Sequence, residues 1–307
     1  MPEPQEYTFA RYLSSKKSVD DRSLNKSVWE RLAAEVSSGP ETLRVLELGS
    51  GIGTMVERAI DWGLLKRADY TCVDSQSENT AEVFGRLPNW AIRRNYEYSA
   101  DRRRIRLSRG NSEIFVKPVT ADVLEFMENE ENKLSWDLLI ANAFLDLVDV
   151  PAVLPHLFSM LKPGGMFYFT INFDGATILQ PEIQKALDSK IELLYHRTMD
   201  QRVIKGRLSG DSRTGRHFFQ HAREAGAEIL EAGPSDWVVF AGSKGYREDE
   251  AYFLHFIVHT MGLALSEHPE LDSVPFGRWI EDRHRQIEEG RLVYIAHQID
   301  FFGRIAG

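Results

Sequence analysis

The stretch Val45-Leu-Glu-Leu-Gly-Ser-Gly-Ile-Gly53 constrains this chain more than any other. Arg44 to Leu48 has the apolar character of a short buried strand, with one acid, Glu47, near its end. Gly49, Gly51 and Gly53 follow at alternate positions, and Thr54 to Trp62 has the pattern of a helix. Glycines at such a junction let the backbone turn sharply and come close to a ligand. In an open parallel sheet, ligands bind beyond the carboxyl ends of the strands. A plain strand-to-helix turn is the alternative reading of the same residues.

The alternation continues downstream. Strands are expected at Asp69 to Asp74, Glu113 to Thr120, Trp136 to Asn142 and Met166 to Asn172. Helices are expected at Ser77 to Leu87 and Val150 to Leu161, and Pro118 weakens the strand that holds it. Alternating strands and helices imply a parallel sheet covered on both faces. Before the first strand, residues 8 to 37 look helical. Ser23 is a candidate cap for a helix whose Leu24, Val28, Leu32 and Val36 recur every four positions. Two segments interrupt the pattern. Residues 88 to 112 are arginine-rich, with a hairpin turn expected at Gly110-Asn111, and residues 174 to 212 form a second insertion. A helix (Arg216 to Ala225), a strand pair through Trp237 to Phe240, two helices and a last strand (Leu292 to Phe302) follow. No Pro- or Ser-rich linker divides the chain, so one domain over residues 1–307 is expected, with 1–42 as a helical cover.

A dinucleotide fingerprint wants G-x-G-x-x-G. Counted from Gly49 the third position is Thr54, and from Gly51 it is Val56, so both fail. The spacing, with Glu47 as its acid, resembles instead the E/D-x-G-x-G-x-G signature of class I S-adenosylmethionine-dependent methyltransferases. Further residues in the same order resemble that family: Asp74 ending the second strand, Ala121-Asp122-Val123 after the third, Asn142 ending the fourth, and Leu161-Lys-Pro-Gly-Gly-Met166 before the fifth. The likeness covers residues 43 to 173 in detail. It implies a Rossmann-like, doubly wound, mostly parallel seven-stranded sheet and S-adenosylmethionine as cofactor. It assigns Glu47 to the methionine ammonium, Asp74 and Ser75 to the ribose end, and Asp122 and Val123 to the adenine. Gly49, Ser50, Gly51 and Gly53 form the bend, with Asn142 beside the donor. Asp74 could equally cap the turn after its strand, and Asp122 the helix after it.

The resemblance puts the acceptor pocket next to the fourth strand end, under the N-terminal cover and the 174–212 insertion. Phe144 and Asn172 are the expected acceptor contacts there. Asp146 is the candidate general base, with Asp174 as a second; a helix cap is the plainer role for Asp146. Arg213 and Arg216, at a helix start, could hold an anionic substrate group, while Asp211, Ser212 or Thr214 caps that helix in the simpler reading. His217/His221 and His255/His259 have i, i+4 spacing without the H-E-x-x-H glutamate, so no metal is expected.

A net charge of −9 argues against a general nucleic-acid binder. The place of the D/N-P-P-Y/F motif of base-amino methyltransferases holds Asn142-Ala-Phe-Leu145, without the prolines. The arginines at 93 to 109 are interspersed with Glu97 and Asp101, the pattern of a solvated hairpin face. A small-molecule acceptor is therefore expected. RNA or other nucleic-acid methylation, and non-catalytic binding of S-adenosylmethionine, stand as the alternatives. The single cysteine, Cys72, excludes an internal disulfide and suits a cytoplasmic setting. The longest apolar run, Ala251 to Leu265, is shorter than the roughly 20 residues a membrane span needs and contains two histidines, so it is expected as a buried helix. A monomer or homodimer is expected.

Overall fold

In the computed structural model, residues 2–204 and 206–307 are described. Two helices lead, α1 (Phe9–Ser23) and α2 (Lys26–Ser37). The cap of α2 is Asn25, whose side chain accepts from Val28 N at 3.1 Å; Ser23, expected as a cap, closes α1 instead. There follow β1 (Leu43–Leu48), α3 (Thr54–Asp61), β2 (Arg67–Asp74) and α4 (Ser77–Arg93). Helix α4 runs past the expected end at Leu87 and through Pro88, because Leu87, Trp90 and Ala91 continue its buried face.

The arginine-rich insertion is a hairpin, β3 (Glu97–Ala100) and β4 (Ile105–Arg109), turning at Gly110 into β5 (Ser112–Thr120). Then come α5 (Val123–Glu128), β6 (Trp136–Asn142), α6 (Val150–Ser159) and a long β7 (Leu161–Gln180). The second insertion holds the end of β7, α7 (Lys185–Asp200) and a small hairpin, β8 (Val203–Ile204) and β9 (Arg207–Leu208). The chain closes with α8 (Thr214–Glu224), β10 (Ala227–Pro234), β11 (Trp237–Val239), α9 (Glu250–Leu265), α10 (Ser273–Glu288) and β12 (Val293–Ile305).

The sheet order is β10-β12-β7-β6-β1-β2-β5-β4-β3, with β11 also on β12. It has ten strands where seven were expected. Its centre is parallel, through β7, β6, β1, β2 and β5. The additions are antiparallel and at the two ends: the arginine hairpin lengthens one edge, and β10 and β11 both attach to β12 at the other. Pro118 is tolerated because β4 pairs with β5 only as far as Val116, so the proline lies where β5 has become an edge.

Successive side chains of a strand face opposite sides of the sheet. Leu43 and Val45 accordingly join Met55, Val56, Val83 and Leu87 on one face. Leu46 and Leu48 join Leu154, Leu157 and Phe218 on the other. Burying each such side chain contributes about 1.5–3 kcal/mol, and this fixes the register of β1. A third core gathers α7, α9 and α10 under the far end of β7. Most of helix α9 is buried, and among the described residues no helix is long and apolar enough to cross a membrane. Because β1, β2, β5 and β6 run parallel, Leu48, Asp74, Thr120 and Asn142 end along one edge of the sheet. The candidate site lies along that edge.

Candidate functional site

The glycine turn after β1 is left-handed at all three positions, with φ of 63° at Gly49, 52° at Gly51 and 79° at Gly53. Side chains are excluded there by space as well as by conformation. A Cβ on Gly49 would lie 2.9 Å from the Phe144 ring, and one on Gly51 would lie 2.9 Å from Leu13 of α1. The bend thus brings bare backbone against one aromatic ring and against the N-terminal helix. Gly53 begins α3, and the buried Ser50 Oγ has no hydrogen-bond partner.

Asp74 fastens this turn to the second strand. Its Oδ2 accepts from Gly51 N at 2.8 Å, and its Oδ1 accepts from Gln76 N at 2.9 Å and Asn79 Nδ2 at 3.0 Å. It also lines the cavity beyond the strand ends, as does Ser75. Glu47 is buried and accepts from the Tyr70 hydroxyl at 2.8 Å. Burial pushes its carboxyl up to about 8, against the opposing effects of the Tyr70 hydrogen bond and the Arg58 charge. Glu47 borders a small space that also touches Lys16, Asp20, Ser50 and Asn142. Lys16 and Asp20 lie one helical turn apart on α1 and pair at 2.6 Å. Asp20 also accepts from Trp237 Nε1 at 3.0 Å. Asn142 is oriented by Thr170 Oγ1, which donates to its Oδ1 at 3.0 Å, while its amide reaches Asp20 at 3.5 Å.

Two adjoining spaces open from this edge. One, of about 560 Å³, is bordered by Ser75, Asp122, Val123, Met127 and Phe144, with Ile204 and Leu208 of the small hairpin on its outer side. Asp122 Oδ1 caps α5, accepting from Leu124 N at 2.8 Å and Glu125 N at 3.4 Å. The other space, of about 480 Å³, shares Ser75, Val123, Phe144 and Leu147 with the first. It extends under α1 to Tyr12, Asp146, Tyr195, Arg202, Trp237 and Tyr294. Both volumes lie in the roughly 300–1,000 Å³ range of small-molecule pockets. Asp146 faces the second space, and its Oδ1 finds no partner outside its own residue. Burial raises its pKa; its own backbone N–H, Arg202 and Lys16 oppose this, and Asp211 adds to it.

Three of the expected acceptor contacts lie elsewhere. Asn172 is buried, and its amide donates to Phe169 O at 3.0 Å and Ile299 O at 2.8 Å, tying β7 to β12 away from the cavity. Arg216 pairs with Asp174, the second base candidate, at 2.8 Å, and its backbone N–H donates to the same carboxylate. Asp211 accepts from Arg213 N at 2.8 Å in the turn before α8, while the first-turn N–H of Arg216 is taken by Asp174 of β7 rather than by Asp211, Ser212 or Thr214. Asn172 and Asp174 miss the cavity because successive side chains of β7 face opposite sides of the sheet, and it is Ile171 and Phe173 that line the space.

Lys16, Asp20, Tyr12, Tyr195, Arg202, Trp237 and Tyr294 were not singled out from the sequence. The i, i+4 spacing of Lys16 and Asp20 was a visible signal of a pair but not of its burial. Both histidine pairs lack metal geometry. His217 Nδ1 lies 2.6 Å from Asp211, and His255 meets His284, not His259, at 2.8 Å. Among the described residues no cluster of three or more His, Cys, Asp or Glu could hold a metal. In the arginine hairpin, Arg106 pairs with Glu113, Arg104 lies over Phe115 and Arg109 over Tyr96.

Residues 20–232 match the model of a family described as methyltransferase domain. No curated protein matches. Among solved structures, an S-adenosylmethionine-dependent methyltransferase from Thiobacillus denitrificans, in complex with S-adenosyl-L-homocysteine, is 14% identical. That match covers 99% of both chains with a TM-score of 0.46. A putative sarcosine dimethylglycine methyltransferase from Galdieria sulphuraria is 16% identical over 90% of this chain and 84% of that one, with a TM-score of 0.41. A phosphoethanolamine N-methyltransferase from Haemonchus contortus is 12% identical over 98% of this chain and 59% of that one, with a TM-score of 0.45.

Proposed function

This chain belongs to the class I S-adenosylmethionine-dependent methyltransferases, and on that premise we propose that it methylates a small molecule held in the space under α1. The observation that carries the reading is that the two spaces adjoin at a shared wall of Ser75, Val123, Phe144 and Leu147: one runs along Asp122 and Val123, the other along Asp146. A donor bound across the glycine turn would present its methyl group toward the second.

The residues present fit the donor. Gly49 and Gly51 present bare backbone to the space under α1, and the orphaned Ser50 Oγ belongs to a residue bordering the small space with Glu47 and Asp20. Glu47, Asp20 and Asn142 would hold the methionine ammonium end. Asp74 would hold the ribose side while fixing the turn, and Asp122 with Val123 would border the adenine. S-adenosylmethionine supplies an already activated methyl group on its sulfonium. What the chain must add is alignment, which can contribute roughly 7–11 kcal/mol. The tie between Asp74 and Gly51 N and the contact between Gly49 and Phe144 serve that alignment, because they set the bend relative to the ring dividing the two spaces.

The aromatic-walled space favours a small molecule over a nucleic acid, and the pairing within the arginine hairpin favours a solvated surface there. The 307 residues act as one catalytic unit, with the cytoplasm as the setting that suits a buried, unpaired Cys72. Calorimetry of the pure protein with S-adenosylhomocysteine tests the donor site, and S-adenosylhomocysteine formation with candidate small acceptors tests turnover. Uptake of a nicotinamide dinucleotide in place of the adenosyl compound would overturn the reading.

A further inference from the structure

Deepening the methyltransferase reading and resting on it, we propose that the acceptor is a cationic amine. Its nitrogen binds at Asp146, its body lies among the rings of Tyr12, Tyr195, Trp237 and Tyr294, and Asp146 takes the proton the nitrogen must lose. The ammonium gives one proton to the carboxylate, and the freed lone pair forms the new N–C bond. The S–C bond breaks with its electrons left on sulfur, and the proton passes from Asp146 to solvent. The products are the methylated ammonium, the neutral thioether and one released proton.

Three observations converge on this class. The first is the unmet acceptor. Asp146 borders the cavity with a buried Oδ1 that has no partner outside its own residue. A buried carboxylate oxygen without a donor from another residue is costly, and a ligand N–H⁺ supplies one.

The second is the wall. Four rings from α1, α7, β11 and β12 surround the same space. Tyr12 is fixed by stacking on Phe256 at 4.2 Å, and Trp237 lies 6.4 Å from Tyr294. Tyr12, Tyr195 and Asp146 lie close enough to act on one another's titration, all pushed up first by burial. Electron-rich ring faces beside an acid attract a cation.

The third is the state of the neighbouring cations. Lys16 is engaged by Asp20 at 2.6 Å and lies over the Trp237 ring. Arg202 donates to the backbone carbonyl of Asp146 at 3.3 Å rather than to its carboxylate. Asp211 adds a further negative charge near Asp146. The chemistry also separates amines from alcohols. An alkylammonium gives up its proton near pH 10, as lysine does, whereas water holds its proton to about 15.7. A carboxylate is a far better match for the first.

The experiment uses full-length protein saturated with S-adenosylhomocysteine. It compares 2-phenylethylamine, 2-phenylethanol, 4-ethylphenol and 3-phenylpropionate by calorimetry. The amine is expected to bind at least tenfold tighter than each of the others. Asp146→Asn should cut amine affinity at least tenfold while leaving S-adenosylhomocysteine and 2-phenylethanol within twofold. No amine binding, tighter binding of the phenol, alcohol or carboxylate, or an amine affinity unmoved by Asp146→Asn would each overturn the proposal. If the variant does not fold, the wild-type rank order decides. Wild-type protein that takes up no S-adenosylhomocysteine at all would bring down the methyltransferase reading instead, so the two failures are distinguishable.

Discussion

Asp74→Asn should damage the glycine turn in a way that both stability and donor binding register. The wild-type carboxylate accepts three hydrogen bonds, one on Oδ2 from Gly51 N and two on Oδ1 from Gln76 N and Asn79 Nδ2. An asparagine has one acceptor oxygen. Its best orientation keeps that oxygen toward Gln76 and Asn79, which turns its NH₂ toward the Gly51 N–H. A buried donor is then left unpaired, at about 1–3 kcal/mol. Gly51 also touches Leu13, so relaxation of the turn would carry into α1. We expect the urea midpoint to fall by the equivalent of about 1–3 kcal/mol, with m unchanged. S-adenosylhomocysteine affinity should fall at least tenfold by calorimetry. An Asp74→Asn protein with wild-type stability and donor affinity within twofold would refute the argument that this carboxylate holds the bend.

Three shorter tests follow. Gly51→Ala places a side chain at φ 52° and against Leu13; left-handed strain of about 1–2 kcal/mol should appear in the denaturation midpoint, and an unchanged midpoint would count against it. Burial holds the Glu47 carboxyl at about 8, so it is mostly protonated at neutral pH. An arriving ammonium favours the ionised form, so S-adenosylhomocysteine affinity should rise with pH toward about 8 and then level, with proton release at pH 7 shown by calorimetry in buffers of different ionisation enthalpy; pH-independent affinity would remove Glu47 from that role. Arg216→Ala should cost about 1–3 kcal/mol, because Asp174 is buried while its partner is half exposed, yet leave acceptor KM unchanged; a large rise in KM would restore this arginine to the acceptor site.

The parts of the site that could be read from the sequence are those the chain builds locally. Glycines at alternate positions after an apolar strand specify a bend whatever the rest of the fold does, and Asp74 and Asp122 stand where short-range strand and helix signals end. The acceptor side is different in kind. Asp146 was marked by its place just past a strand end, but Tyr12, Tyr195, Trp237 and Tyr294 come from four distant segments, and nothing local marks any of them as facing a cavity. Asn172 and Arg216 show the converse error. Their closeness in sequence to a strand end or helix start suggested a site, but alternation along β7 turns Asn172 away from the space that Ile171 and Phe173 line, and Arg216 is taken up by Asp174. The strand count fell short because the hairpin expected in the arginine-rich segment was read as a solvated face, whereas its Ile105 and Leu107 are buried and pair with β5 as part of the main sheet.

Helix α1 gives Leu13 to the glycine bend, Lys16 and Asp20 to the small space beside it, and Tyr12 to the aromatic wall. A single rigid rod therefore serves as the shared partition of two chambers. Any change in the seating of that rod on filling one chamber is felt in the other, and by thermodynamic reciprocity each occupant must change the other's affinity by the same factor. Ordered binding and joint release would then be consequences of geometry at the amino-terminal end of the chain rather than of any dedicated switch.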